Sequence, residues 1–248
     1  MSTAPVFLVE SLAAAGPGGL LPLDGAEGRH AVSVRRLRVG EPIVLTDGRG
    51  AGALGTVAAV DGRERLEVAV AELRHEPPPL PSITVVQALP KGDRGELAVE
   101  TMTETGVDRI IPWAAARCVT QWRGERGARA LAKWRATARE AAKQSRRLRI
   151  PEIAEPLTTS EVAAVLADAA FAGVLHEAGA EPLASAELPA EGEIVLVVGP
   201  EGGVTPEELA AFEAAGARAH RLGPTILRTS TAGTAATALL LTRTGRWA

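Results

Sequence analysis

The residues best suited to chemistry follow an aliphatic run. Ile194–Val198 leads straight into Gly199, Pro200, Glu201, Gly202 and Gly203. Five consecutive apolar residues read as a strand buried on both faces. The glycines permit a sharp turn and a close backbone approach to a ligand. Thr205-Pro206-Glu207-Glu208 then supplies a cap, a proline at the first helical position and early acids, hence a helix start. Strand, glycine loop and helix form the usual small-molecule site of an α/β protein; the alternative is a turn that only connects. No Gly-Lys-Ser/Thr follows the glycines and the G-x-G-x-x-G spacing is absent, so neither a phosphate loop nor a dinucleotide fingerprint is present. No G-x-S-x-G elbow occurs in the chain.

A second segment, Leu222-Gly223-Pro224-Thr225-Ile226-Leu227-Arg228-Thr229-Ser230-Thr231-Ala232, reads as a Gly/Pro loop. It runs into Gly233–Leu241, a small-residue helix suited to close packing, with Thr229, Ser230 or Thr231 as its cap. Together the GPEGG and LGPTILRTSTA segments resemble the ribosomal small-subunit methyltransferase E family, of the SPOUT class of S-adenosylmethionine-dependent RNA methyltransferases. The resemblance extends through Leu89–Arg94, Glu104–Val107 and Glu140–Arg147, and so spans nearly the whole chain. It departs at Thr101, where a lysine is expected, and at Thr105, which replaces a leucine.

The resemblance implies a fold, a cofactor and a reaction. The fold is α/β: a C-terminal SPOUT methyltransferase domain with a mostly parallel sheet and a trefoil knot, plus an N-terminal PUA-like small β-barrel that binds RNA. The knot would involve the chain from about Leu196 to the final helix. The reaction is methylation of uridine N3 in 16S ribosomal RNA, with S-adenosyl-L-methionine as donor and a homodimer as the working form. Competing readings are a SPOUT enzyme acting on another base or ribose, and a non-catalytic assembly factor.

The cofactor would be held by Leu175, His176 and Glu177, by Val198, Gly199, Pro200 and Gly202, and by Leu222, Gly223, Ile226 and Leu227. His176 could equally be an ordinary loop histidine. Uridine N3 carries a proton, so catalysis must remove it or stabilise the resulting anion. A guanidinium near O2 or O4 would stabilise that anion. Arg228 is the leading candidate, because it interrupts an otherwise apolar and hydroxyl-rich loop; its alternative is an anion partner for Glu201. Glu201 would act as base, hold Arg228 or hold the methionine ammonium. Lys91, Arg94, Gln144, Arg146 and Arg147 match the family pattern and would hold phosphates or the target nucleotide. Arg94 could instead pair with Asp93 or Glu96.

Composition sets the limits around this site. The 248 residues, 46% apolar, can bury a sizeable core. No run of 18 apolar residues is present, so no membrane span is expected, and no secretion signal is evident. The one cysteine, Cys118, fits a core position and a reducing, cytoplasmic setting. His30, His75, His176 and His220 lack metal-ligand spacing, and no metal is expected. The absence of tyrosine and three phenylalanines argue against base stacking as the main mode of RNA binding.

Charge is segregated. Residues 121–149 hold ten Lys/Arg against Glu125 and Glu140, a balance of +8 in a chain of net −3, which leaves −11 elsewhere. Such segregation suits a polyanion. Within a helix expected over Ala128–Leu148, Leu131, Trp134, Ala138, Ala141, Ser145 and Leu148 form the inward stripe. Arg135, Arg139, Lys143 and Arg146 form a second stripe, of which Arg139 and Lys143 are expected to face RNA. A solvated helix face is the alternative.

The positioning elements fall in two units. Residues 1–74 contain a helix over Glu27–Arg38 bearing Arg35 and Arg36, expected RNA contacts. Short strands follow at Ile43–Leu45, Ala53–Val60 and Leu66–Leu73. The Pro-rich stretch at 75–82 reads as a linker. Residues 83–248 alternate strands and helices: Ile83–Leu89, Arg94–Thr105, Arg109–Pro112, Ser160–Ala169, Phe171–Leu175, Ile194–Val198, Pro206–Ala215 and Ala217–Leu222. The alternation predicts a mostly parallel sheet.

Overall fold

The computed structural model describes residues 4–13 and 16–247. They divide into two compact units. One runs up to Pro78 and takes in Ala142–Ile150; the other comprises Pro79–Ala141 and the chain from Pro151 onward.

The first unit contains strands β1 (Val6–Leu8) and β2 (Leu20–Leu23), helix α1 (Gly25–Arg29), a π-turn over His30–Val34, and strands β3 (Pro42–Thr46), β4 (Ala51–Asp61) and β5 (Arg65–His75). They form one sheet in the order β1-β3-β4-β5-β2, antiparallel except for the β1–β3 pair. Alternate residues of β5, Leu66, Val68 and Val70, join Phe7, Leu23, Ile43, Leu45 and Val57 in the core. The helix expected over Glu27–Arg38 is shorter and wider than its periodicity suggests. It passes into the π-turn and stops where Arg36 adopts φ +57°, the left-handed region, in which a helix cannot continue.

Residues 142–150, expected in the second unit, fold with the first. Leu148 packs with Val6 and Val44, and its carbonyl accepts from the Thr46 hydroxyl at 2.9 Å and from Gly50 N at 3.0 Å. Ile150 N donates to Gly48 O, and the Arg149 guanidinium donates to Glu76 O at 2.6 Å. Lys143 is buried and its ammonium meets the Glu27 carboxylate at 2.8 Å. The expectation of Lys143 as an RNA-facing cation is therefore corrected: its charge is already compensated inside the unit.

In the second unit the elements are β6 (Ser82–Ala88), α2 (Arg94–Thr105), β7 (Arg109–Trp113), α3 (Gly124–Gln144, which continues into the first unit), β8 (Glu152–Ile153), α4 (Thr159–Asp168), β9 (Phe171–Leu175), β10 (Glu181–Pro182), β11 (Glu193–Val198), α5 (Pro206–Ala214), β12 (Arg218–Arg221) and α6 (Thr229–Arg243). Seven strands make a wholly parallel sheet in the order β10-β12-β9-β11-β6-β7-β8. Strand β11, buried from Ile194 to Val198, lies at its centre. Helix ends follow local chemistry. Thr158 and Thr205 each close a capping box, and Gly106 ends α2 at φ +117°.

The parallel register decides the site. Leu175 of β9 pairs with Val198 of β11 on one side and His220 of β12 on the other. Three strands therefore end at one level, and their loops leave the same edge. Helix α6 returns against α2, β6 and β11. Its face of Thr229, Ala232, Gly233, Ala236, Thr237, Leu240 and Leu241 is buried. Gly233 is required there, since a Cβ would sit 2.5 Å from Met102 Sδ. Thr101, in place of the expected lysine, shares a 2.7 Å hydrogen bond with Thr234, so this position joins α2 to α6. Beyond α6, Arg246 pairs with Asp108 at 2.6 Å and donates to Pro81 O.

Removing one member of a buried ion pair leaves the other charge uncompensated. Lys143→Ala is expected to destabilise the chain by about 1.5–3 kcal/mol in urea unfolding. An unchanged unfolding midpoint would show that the pair with Glu27 holds nothing together.

Candidate active site

The loops after β9, β11 and β12 enclose a cleft of about 780 Å³. Gly199–Gly203 forms one wall, closed by a turn in which Gly203 N donates to Pro200 O at 2.9 Å. Small residues are needed here: a Cβ on Gly199 would lie 2.8 Å from Val204 Cγ2, and one on Gly202 would lie 3.1 Å from Arg117 Cβ. The opposite wall is Leu222–Arg228, and Leu175-His176-Glu177 contributes a third side.

Four contacts fix these loops. The Thr229 hydroxyl, in the first turn of α6, donates to Gly199 O at 3.1 Å. Gln87 Nε2, at the end of β6, donates to Thr229 O at 3.3 Å. Arg117 Nη1 donates to Gly202 O at 2.9 Å. Glu201 accepts from Lys91 N at 3.1 Å, tying the β6–α2 loop to the glycine loop. Below them, the buried Glu208 carboxylate accepts from Thr205 N at 2.9 Å and Ala116 N at 2.7 Å. One acid thus caps α5 and anchors the segment that carries Arg117.

Every residue assigned to the cofactor from the sequence lines this cleft: Leu175, His176, Glu177, Val198, Gly199, Pro200, Gly202, Leu222, Gly223, Ile226 and Leu227. Glu201, Arg228 and Arg94 line it too. Among the described residues no ion pair joins Arg228 to Glu201, and the exposed Arg228 guanidinium has no hydrogen-bond partner. Arg94 does not take Glu96, whose carboxylate meets Lys133 at 2.9 Å. His176 Nδ1 accepts from Ala178 N at 3.2 Å, so the ring shapes its own loop while facing the cleft.

The sequence reading missed Arg117, Val204, Pro206, Arg221, Thr225, Thr229 and Ala232, which also line the cleft. Arg117 carries no local signal, since its partner Gly202 lies 85 residues away. Thr229 was legible only as a candidate helix cap; it is instead the first residue of α6, with Arg228 at the cap position and no side chain capping the helix.

The other expected RNA contacts lie apart from the cleft lining. Lys91 is exposed. Arg139 is exposed in the second unit. Gln144, Arg146 and Arg147 belong to the first unit, as do the exposed Arg35 and Arg36. Arg135, in the same helical stripe, is bound to Ile153 O and the Glu155 carboxylate.

The cleft fits a methyl donor with an adenosine part. Within the described residues, the backbone groups of Gly223–Leu227 have no hydrogen-bond partner. They offer an open row of peptide donors and acceptors beside the Leu222, Ile226 and Leu227 side chains, which is what an adenine edge and face require. No group of three or more His, Cys, Asp or Glu among the described residues is arranged to hold a metal. Among the described residues no helix is long and apolar enough to cross a membrane. Cys118 is buried, and burial first of all raises its thiol pKa, which disfavours the thiolate a nucleophile needs.

This parallel sheet, with its loop-built cleft, is that of an RNA methyltransferase domain. A family model described by that name matches residues 76–241, and one for the RNA methyltransferase PUA domain matches residues 23–70. The chain belongs to the ribosomal RNA small subunit methyltransferase E family. It is 46% identical to the Mycobacterium bovis protein of that name, over 98% of this chain and 94% of the relative. The Bacillus subtilis protein of that name is 28% identical over 85% of each chain. Among solved structures, the Neisseria gonorrhoeae ribosomal RNA small subunit methyltransferase E bound to S-adenosyl methionine superposes with a TM-score of 0.83 at 28% identity, covering 97% of this chain and 98% of that one. The Legionella pneumophila protein Lpg2936, solved in complex with SAM, gives 0.84 at 26% identity over 98% of each chain.

His220, beside the cleft, is 1% exposed and neither ring nitrogen has a hydrogen-bond partner. Burial lowers its pKa below the ordinary value near 6.5, against the Glu181 carboxylate 3.7 Å away and with help from Arg218. The unfolded chain therefore binds this proton first. The stability that neutral His220 contributes is present above about pH 6.5 and is lost as pH falls through the lowered folded value. Urea midpoints measured between about pH 7 and 5 should fall less in His220→Leu than in the unmutated chain. Parallel pH profiles would remove His220 from the acid limb.

Proposed function

We propose that this chain transfers a methyl group from S-adenosyl-L-methionine to N3 of a uridine in 16S ribosomal RNA of the small subunit. The open peptide row of Gly223–Leu227, facing the Gly199–Gly203 turn beside an unpaired Arg228, carries the reading. The donor, when bound, supplies an electrophilic methyl on a sulfonium. The chain's own residues bind and orient it. Gly223–Leu227 would hold the adenine, while Gly199, Pro200 and Gly202 give close backbone approach. Leu175, His176 and Glu177 would close the ribose side.

The uracil N3 proton must leave for N3 to attack. Arg228 would stabilise the negative charge that spreads onto O2 and O4, by charge-assisted hydrogen bonding. Glu201 already accepts from Lys91 N, which favours a positioning role between two loops over a freely moving base. Arg94 lines the cleft and would hold a phosphate of the target nucleotide.

The family's trefoil-knotted path is carried onto the chain from Leu196 to α6 as part of this reading; the return of α6 against β6 and β11 supports it. A homodimer is also part of it, carried over from the family resemblance. A cytoplasmic location follows from the ribosomal substrate. RNA binding outside the cleft is assigned to Arg35, Arg36, Lys91, Arg139, Gln144, Arg146 and Arg147.

Mass-spectrometric mapping of methylated nucleotides in 16S RNA, with and without the protein, tests the reaction; methylation at another atom would overturn the N3 assignment. Arg228→Ala is expected to lower single-turnover methylation by roughly 10²–10³-fold while donor affinity changes little. Near-normal turnover would remove Arg228 from the chemistry. Arg139→Glu should weaken RNA binding and reduce the slope of log affinity against log salt by about one phosphate contact. An unchanged slope would leave Arg139 a merely solvated charge.

A further inference from the structure

A second hollow of about 370 Å³ lies in the same unit as the cleft. Its lining includes Trp122, Trp134, Glu96, Arg126, Thr120 and Pro90. It lies one loop away from the cleft: Lys91 N is held by Glu201 of the glycine loop, and the neighbouring Pro90 carbonyl accepts from the Thr120 hydroxyl at 2.8 Å. The reaction proposed above does not use this hollow.

Its chemistry is specific. The two indoles meet edge to face, with centroids 4.9 Å apart and planes at 78°. Trp134 is 2% exposed and fixed under α2, where a Cβ on Gly95 would sit 2.7 Å from its ring. Trp122 is half-buried against Trp134 and lines the hollow. Glu96 gives one carboxylate oxygen to Lys133, but its Oε2 is buried with no hydrogen-bond partner. A buried acceptor left unpaired is costly unless a ligand supplies the donor. Arg123 and Arg126 are exposed, and among the described residues neither has an ion-pair partner.

An aromatic side chain, an acceptor without a donor and the exposed cation Arg126 in one hollow match one class of ligand. We propose that this hollow is a specificity subsite for an unpaired ribonucleotide of the RNA substrate carrying an exocyclic amine, next to the nucleotide in the cleft. The base stacks on Trp122, its amine donates to the Glu96 carboxylate once that side chain turns its buried Oε2 toward the hollow, and Arg126 meets the phosphate. A carboxylate accepts from cytosine N4 or an equivalent amine and has nothing to accept from the O4 of uracil. Uracil sets its O4 acceptor against the carboxylate oxygen and offers only its N3–H, so it is disfavoured there relative to a base with an exocyclic amine. The stacking is a single local contact, in accord with a chain poor in aromatics. The proposal rests on the RNA-methyltransferase reading above.

The test uses fluorescein-labelled single-stranded oligo(rC) and oligo(rU), each of about 12 nucleotides, with anisotropy as the readout. The unmutated protein should bind oligo(rC) more tightly. Trp122→Ala should weaken both by about tenfold, and Trp122→Phe, which keeps a stacking face, should recover most of the loss. Glu96→Gln presents a donor beside the remaining acceptor and should narrow or invert the preference for rC over rU. Affinity for S-adenosyl-L-methionine should be unchanged throughout. Equal binding of rC and rU by the unmutated protein, or unaltered affinity in Trp122→Ala, would overturn the subsite. A folded protein that captures a peptide but no oligonucleotide would overturn it as well. Failure of the methylation reading would appear separately, as absence of methyl transfer to small-subunit RNA by the unmutated protein.

Discussion

The site depends on the register of three parallel strands. Leu175, Val198 and His220 stand side by side across β9, β11 and β12, so three loops distant in sequence open at one edge. A parallel sheet fixes this edge strongly, because its central strands are buried on both faces and cannot slip without exposing apolar side chains. Shifting β12 by one residue would reverse the faces of Ala219 and His220, drive the buried His220 ring toward solvent and carry Leu222–Arg228 away from the glycine turn. The cleft is a consequence of ladder geometry before any side chain in it acts.

Side chains then hold what the ladder has brought together. Thr229 reaches Gly199, Gln87 reaches Thr229, and Glu201 reaches the backbone of Lys91. Each links one loop to another by a bond of ordinary length. Glu208 does this with the most economy: its carboxylate completes the cap of α5 and holds the chain at Ala116. Arg117 is delivered to the carbonyl of Gly202 by the same short stretch. The cleft wall of Gly223–Leu227 is left without such bonds, which is what a ligand-binding backbone requires.

Charge illustrates the opposite case, in which an average misleads. The basic stretch 121–149 reads as one cationic face, yet the fold divides it. Lys143 is consumed by Glu27, Lys133 by Glu96 and Arg135 by Glu155, while Arg123, Arg126 and Arg139 remain exposed. Lys133 and Arg135 meet acids of their own unit, whereas the last residues of α3 belong to the other unit, where Lys143 meets Glu27. Helical periodicity shows which residues share a face, not which element that face will touch.

Much of the second unit was legible because its signals are local. Thr205-Pro206-Glu207-Glu208 starts α5, Gly106 ends α2, and five aliphatic residues make β11. The glycine loop and Arg228, which line the cleft, stood out in the sequence because small residues and a lone guanidinium contrast with apolar neighbours. Short strands such as β1, β2, β8 and β10 were not, since two to four residues carry too little periodicity to distinguish them from loop. The sequence by itself determined the elements and the residue types at the cleft, through propensity, capping and alternation over a few neighbouring positions. Tertiary structure alone decided that Arg117 meets Gly202, that Thr101 joins α2 to α6, that Lys143 is paired with Glu27, and that Trp122 and Glu96 line one hollow. Those contacts span tens of residues, and their energies depend on burial and register, which no local pattern encodes.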